Sequence, residues 1–209
     1  MSRTIDYYFT LVSPWAFLGH KPLVDLARAQ NVTINYKPVD LGDVFPHTGG
    51  LPLPKRHPAR QKYRILELQR WREARGVALK INPKHWPFPP ATANRTIIAI
   101  AQSGADPAAY TQRAFEGIWV KDEDLAQEDK LVALMSECGH DGAKMLSAAK
   151  SDAIGKIYTD TATEAVERNV IGSPCYVLDG EVFWGQDRLG LLESALKSGR
   201  KAYRMDATE

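Results

Sequence analysis

Cysteine is scarce in this sequence of 209 residues, which contains only Cys138 and Cys175. The two lie far apart and form neither a C-x-x-C pair nor a zinc-ligand pattern. The five histidines are scattered as well, without an H-E-x-x-H motif. We therefore predict no metal site, and we expect both cysteines to be free core thiols in a reducing compartment.

Long apolar runs and a strong net charge are also missing. No segment approaches the ~20 apolar residues that span a bilayer, and residues 1–6 lack the apolar core of a signal peptide. The net charge of +2 is too small, and the basic residues are too dispersed, to indicate nucleic-acid binding. These absences predict a cytoplasmic protein without a membrane or nucleic-acid partner.

The first forty residues have the pattern of a β-α-β unit. Residues 4–9 alternate and are rich in β-branched and aromatic side chains, which predicts a strand. Ser13 is a good N-cap and Pro14 suits the first helical position, so a helix is expected from there to about Asn31. Residues 32–41 predict a second strand, which the helical crossover makes parallel to the first.

The middle of the chain predicts helices separated by proline-rich loops. Residues 42–58 and 82–90 are rich in proline and are expected to be loops. Apolar residues at steps of three predict a helix over residues 59–75. Further helical patterns cover residues 94–103, 107–120, 127–138 and 142–170, and we expect the last of these to break into two helices.

Strand signals return near the C-terminus. Residues 175–178 and 181–184 are joined by an Asp-Gly turn and predict a hairpin, which a closing helix follows. This order of elements predicts an α/β protein with a thioredoxin-like fold and an inserted all-helical domain. We place the thioredoxin-like domain at residues 1–42 and 152–209 and the inserted helical domain at residues 43–151.

Three short segments carry a recognisable pattern: S-P-W-A at residues 13–16, I-G-S-P at residues 171–174 and F-W-G-Q-D-R at residues 183–188. In this order they resemble the DsbA branch of the thioredoxin superfamily, in the part that holds kappa-class glutathione transferases and 2-hydroxychromene-2-carboxylate isomerases. They look most similar to the isomerases, and the resemblance spans nearly the whole chain. It implies a DsbA-like fold, glutathione as cofactor and a homodimer.

Ser13 is the central position of this resemblance. Disulfide oxidoreductases of this fold open the first helix with C-P-x-C, and here Ser13 and Ala16 stand at both cysteine positions. Dithiol exchange therefore has no sulfur to use at this point. The resemblance implies that glutathione brings the sulfur and that Ser13 is catalytic, its hydroxyl and the helix N-terminus stabilising a thiolate. A serine before a proline is also an ordinary helix cap.

The other two segments supply cofactor-binding residues by resemblance. Pro174 is expected to be a cis-proline facing the first helix, with the backbone of Ser173 paired to the cysteinyl part of glutathione. A trans-proline that starts an edge strand is the ordinary alternative. Gln186 and Asp187 are expected to bind the γ-glutamyl end, and Trp184 to pack either on glutathione or in the core.

The insert departs from the kappa-class pattern, in which an Asn and a Lys touch glutathione. Gly50 falls at the Asn and leaves only backbone there. Arg60 falls nearest the Lys, with Lys62 as the other candidate, and either one is expected to pair with the glycyl carboxylate. On a helix surface both are otherwise simply solvated.

The activity that the resemblance implies is cis–trans isomerisation of 2-hydroxychromene-2-carboxylate, or of a similar aromatic pyruvate, in the degradation of aromatic compounds. Reversible thiolate addition turns a conjugated double bond into a single bond that rotates, without net redox change. Phe45 and residues 86–90 are candidates to line an apolar substrate pocket, or else they are packing. The alternatives are a kappa-like glutathione transferase that conjugates electrophiles and a non-catalytic thioredoxin-fold binding protein.

Overall fold

A four-stranded mixed sheet forms the centre of the fold. It consists of β1 (Thr4–Phe9), β2 (Thr33–Pro38), β3 (Cys175–Leu178) and β4 (Glu181–Trp184), in the order β2-β1-β3-β4. Strands β1 and β2 are parallel, and the β1–β3 and β3–β4 pairs are antiparallel. The computed structural model describes residues 3–206, so residues 1–2 and 207–209 of the predicted domain lie outside the described part.

The helices agree with the predicted pattern to within a few residues at most of their ends. The predicted β-α-β unit and hairpin are confirmed, and the 142–170 segment does break, at Ser151, which caps the second helix. The helices are α1 (Pro14–Gln30), α2 (Leu41–Thr48), α3 (Pro58–Ala74), α4 (Ala91–Gln102), α5 (Ala108–Trp119), α6 (Glu128–Glu137), α7 (Gly142–Ala149), α8 (Asp152–Glu167) and α9 (Leu189–Ser198).

The prediction of a loop over residues 42–58 is wrong for its first half. Helix α2 occupies Leu41–Thr48, and a single 3-10 turn follows at Leu53–Lys55. The strand predicted over residues 32–41 is correspondingly shorter, since β2 ends at Pro38.

A cap and a buried side chain explain why α2 forms in a proline-rich segment. The Asp40 carboxylate accepts a hydrogen bond from the N–H of Gly42 at 2.8 Å, which satisfies a donor at the helix start. Val44 is fully buried in a cluster with Val39. Pro46 removes one backbone hydrogen bond, and we attribute the survival of this short helix to the burial of its apolar face.

The two faces of the sheet belong to different cores. Tyr7, Phe9 and Tyr176 lie in the larger cluster, together with side chains of α1 and of the middle helices. Cys175 lies on the opposite face, where it packs with Ala162 and other side chains of α8. Because side chains alternate along a strand, Cys175 points away from the helix that Ser13 opens.

The middle helices α3 to α7 pack on the thioredoxin-like elements through the larger cluster. The division into a thioredoxin-like domain (1–42 and 152–209) and an inserted domain (43–151) stays a proposal. Among residues 3–206, no helix combines the length and apolar character that crossing a membrane requires. The same residues contain no group of three or more potential metal-ligating side chains.

Candidate active site

Ser13 lies at the N-terminus of α1 and makes two hydrogen bonds with its hydroxyl. The oxygen accepts from the N–H of Ala16 at 3.2 Å, and the hydroxyl donates to the carbonyl oxygen of Ser173 at 3.0 Å. The side chain is therefore an N-cap, as an ordinary serine would be, and also a link to the loop before β3. Pro14 follows at the first helical position.

The Ser173-Pro174 peptide bond is cis, as predicted. The hydroxyl oxygen of Ser173 accepts from the N–H of Thr10 at 3.1 Å, and the carbonyl oxygen of Pro174 accepts from the N–H of Gly185 at 3.0 Å. Among the described residues, nothing accepts a hydrogen bond from the N–H of Ser173. The cis-proline loop thus lies directly against the start of α1, and the N–H of Ser173 is a backbone donor without a partner among the described residues.

Three side chains of the middle helices and their loops bind the backbone that leads into Ser13. The indole N–H of Trp119 donates to the carbonyl of Leu11 at 3.0 Å, and that of Trp86 donates to the carbonyl of Val12 at 3.0 Å. The Oδ1 atom of Asn94 accepts from the N–H of Leu11 at 3.1 Å. We call Asn94, Trp119 and Trp86 the clamp.

The clamp is the part of the site that sequence reasoning missed. Asn94 and Trp119 are fully buried, and neither belongs to a short motif. From the sequence, Trp86 was predicted only to line a pocket or to pack in the core. The polar Asn94, shortly before the apolar residues 97–101 of α4, was the one available signal, because a buried amide needs hydrogen-bond partners.

Trp184 is half exposed, at 51%, so the core interpretation of this residue is wrong. Its indole lies against the backbone of Gly172, where an added Cβ would come within 2.5 Å of Nε1. Glycine is therefore required for this close approach. Trp184 covers the segment before the cis-proline and presents its other face outward.

Gln186 and Asp187 lie in one groove but differ in their surroundings. Gln186 is buried, and its Oε1 accepts from the guanidinium of Arg75 at 2.8 Å. Asp187 is exposed and pairs with Arg188 at 2.6 Å. The groove has a volume of about 540 Å³ and is also lined by Trp71. Arg75 was not predicted, and it holds the amide of Gln186.

Arg60 and Lys62 are exposed on α3, and neither side chain forms a hydrogen bond or an ion pair with another described residue. Gly50 lies under the ring of Phe45, which would come within 2.0 Å of an added Cβ. The structure thus brings Ser13, Ser173 and Pro174 together, and Trp184 lies against Gly172, just before Ser173. It leaves both basic candidates without a partner.

Both cysteines are free. Cys175 is fully buried, and burial raises the pKa of its thiol to about 12. Burial also raises the pKa of the partly buried Cys138 thiol. Neither thiol is suited to form a thiolate near neutral pH.

Known proteins match this chain along nearly its whole length. The family model of the DSBA-like thioredoxin domain matches residues 4–197. A 2-hydroxychromene-2-carboxylate isomerase of Pseudomonas putida is 32% identical over 92% of this chain and 93% of its own. The solved structure of a 2-hydroxychromene-2-carboxylate isomerase covers 93% of this chain and 95% of its own with a TM-score of 0.77 and 28% identity.

A more distant relative is glutathione S-transferase kappa 1 of Rattus norvegicus, which is 21% identical over 91% of this chain and 89% of its own. It extends the similarity to the transferases that the sequence motifs also resemble. By the family model and the identity to named relatives, the chain belongs to the DSBA-like thioredoxin domain family, in the branch of the 2-hydroxychromene-2-carboxylate isomerases.

Proposed function

We propose that the chain is a glutathione-dependent cis–trans isomerase of 2-hydroxychromene-2-carboxylate or a similar aromatic pyruvate. One observation carries the proposal: a serine hydroxyl stands at the start of α1, hydrogen-bonded at 3.0 Å to the residue before a cis-proline. A site of this fold without its own sulfur needs a sulfur from elsewhere. The named isomerase relatives support the reaction class.

Glutathione, when bound, would supply a thiolate that adds to the conjugated double bond and leaves again after rotation. The residues around Ser13 fit such a group. The Ser13 hydroxyl accepts from the N–H of Ala16, which polarises it as a donor. If a ligand N–H donates to the carbonyl of Ser173 instead, the Ser13 O–H loses this acceptor. It can then rotate and donate to a sulfur at the helix N-terminus.

The remaining candidates are assigned along an extended tripeptide. The N–H of Ser173 would pair with the cysteinyl backbone beside Pro174, and Trp184 would cover it with its exposed face. Asp187 would hold the γ-glutamyl ammonium. Gln186, whose Oε1 Arg75 already occupies, would contribute its amide N–H groups. A glycyl carboxylate would pair with Arg60 or Lys62.

The decisive experiment follows glutathione through many turnovers of a cis aromatic pyruvate. An isomerase returns glutathione unchanged, so product should exceed the glutathione supplied while the free thiol stays constant. Consumption of one glutathione per product would favour a kappa-like transferase. Absence of glutathione binding in calorimetry would favour a non-catalytic binding protein.

The two cysteines provide an independent prediction. Replacing Cys138 and Cys175 together by alanine should leave the glutathione-dependent turnover number within about twofold of wild type, because neither thiol lies in the site. The change at buried Cys175 leaves a small cavity, which should cost about 1 kcal/mol of stability. Circular dichroism would verify the fold. A folded double variant that lost activity would contradict the proposal.

A cytoplasmic location and a homodimer also belong to the proposal. Two free cysteines suit a reducing compartment, and so does a need for reduced glutathione. The homodimer rests on the family resemblance, and sedimentation of the purified chain would test it.

A further inference from the structure

Three arginines lie close together at the N-terminal end of α3. Arg60 and Arg64 are one helical turn apart, and Arg56 precedes the helix. The Nε of Arg56 donates to the carbonyl of Leu51 at 2.8 Å, which fixes this side chain beside the helix. Among the described residues, no carboxylate forms an ion pair with any of the three.

Arg56 and Arg64 differ from Arg60 because they are partly buried. Two other partly buried arginines of this protein, Arg113 and Arg200, do have acidic partners. Arg113 binds Glu123 at 2.6 Å and Glu137 at 2.7 Å. A guanidinium that loses water without gaining a carboxylate is destabilised.

The charges around Arg64 make its position more unfavourable. Burial and the nearby Arg56 lower the pKa of Arg64 to about 10. Burial and the nearby Arg60 lower the pKa of Arg56. The first turn of α3 contains no acidic residue, and cations at this end also oppose the helix dipole. All of these penalties fall when an anion binds.

The cluster lies next to the loop that bears Ser13. The Cζ atom of Arg64 is 5.5 Å from the centroid of the Trp86 ring. The Nε1 of the same indole donates to the carbonyl of Val12, the residue before Ser13. One tryptophan side chain therefore links the guanidinium to the proposed catalytic loop.

We propose that Arg64, assisted by Arg56, binds a carboxylate beside the sulfur of glutathione. A guanidinium matches a carboxylate with two parallel hydrogen bonds, and the ring of Trp86 supports it from one side. The inference rests on the proposed function, which supplies two carboxylates: the pyruvate arm of the substrate and the glycyl end of glutathione. It differs from the assignment of Arg60 or Lys62, which are exposed.

The test is calorimetry on the full chain with Arg64→Gln and Arg56→Gln, and with Arg72→Gln as the matched control. Arg72 is an exposed arginine of the same helix and has no ion pair with a described residue. One pair of ligands is trans-benzylidenepyruvate and its methyl ester, titrated without glutathione. The other pair is glutathione and its glycyl monoethyl ester.

Arg64→Gln is expected to weaken the binding of one free acid about 10- to 100-fold, the range of a charge-assisted hydrogen-bond pair. It should leave binding of the matching ester unchanged. Arg56→Gln should produce a smaller loss of the same kind, and Arg72→Gln none. Loss confined to the pyruvate assigns the site to the substrate, and loss confined to glutathione assigns it to the glycyl end; both support the site.

Unchanged binding of both free acids in a folded Arg64→Gln variant would overturn the inference, as would a wild type that binds neither acid. Failure of the proposed function would look different. The wild type would then bind the carboxylates through Arg64 but would not isomerise the substrate when glutathione is added.

Discussion

Replacing Ser13 by alanine is expected to lower the turnover number about 10²- to 10³-fold at saturating glutathione, with little change in glutathione affinity. Removing one preorganised donor from a developing or bound negative charge typically costs this much. Affinity should hold because the proposed contacts of Ser173, Trp184 and Asp187 with the tripeptide remain. Steady-state kinetics and calorimetry would measure the two quantities separately.

The control for this experiment must separate the catalytic role from the cap. Ser151 makes the same pair of hydrogen bonds at the start of α8: its oxygen accepts from the N–H of Ile154 at 3.3 Å, and its hydroxyl donates to the carbonyl of Ala148 at 2.7 Å. Ser13→Ala and Ser151→Ala should each lower the free energy of unfolding by about 1 kcal/mol. Equal turnover in the two variants would reduce Ser13 to a cap.

Replacing Asn94 by leucine is expected to lower the free energy of unfolding by about 2–4 kcal/mol. Leucine has a similar size but leaves the N–H of Leu11 and the hydroxyl of Thr10 without the partners they now have at 3.1 Å. Leu11 is fully buried and Thr10 nearly so, and each unsatisfied buried group costs about 1–3 kcal/mol. Denaturant unfolding would measure the change.

The turnover number of Asn94→Leu should also fall, by about tenfold or more, because small displacements of a reacting group are costly and Leu11 lies two residues before Ser13. Tyr158→Phe is the matched control. It removes the 3.0 Å partner of the Asn94 amide but leaves both bonds to the loop intact. We expect Tyr158→Phe to lower the free energy of unfolding by about 1 kcal/mol and to leave the turnover number unchanged. A stable Asn94→Leu protein with normal turnover would remove the clamp from the mechanism.

Local patterns were sufficient for much of the fold. The alternation in residues 4–9 and the Asp-Gly turn fixed β1 and the hairpin because their determinants are neighbours in the chain. Helix α2 was missed because composition argued for a loop. What favours it is the Asp40 cap and the burial of Val44 against a cluster that includes Cys175, a residue far away in sequence.

In the candidate site, too, the residues in local motifs could be predicted, whereas those that depend on contacts between distant parts of the chain could not. Ser13 and the cis-proline lie in short segments whose order along the chain is recognisable, so both could be predicted from the sequence. The clamp residues reach Leu11 and Val12 across 74 to 108 positions, and no local pattern encodes such pairings. Arg64 was missed because its environment, an indole on one side and Arg56 on another, exists only after α3 has packed beside residues 82–90.

The clamp also determines which parts of the chain are needed to move this site to another protein. The loop from Thr10 to Ser13 lies in the thioredoxin-like part of the chain, yet three of its backbone groups depend on Asn94, Trp119 and Trp86. A shortened chain that keeps only the sheet with α1, α8 and α9 would still contain Ser13 and the cis-proline. It would lack the partners of the Leu11 and Val12 backbone groups, so the loop before Ser13 would no longer be held in place. Any graft of this site onto another thioredoxin scaffold therefore has to include α4, α5 and residues 82–90, which hold Trp86, together with Ser13 and the cis-proline.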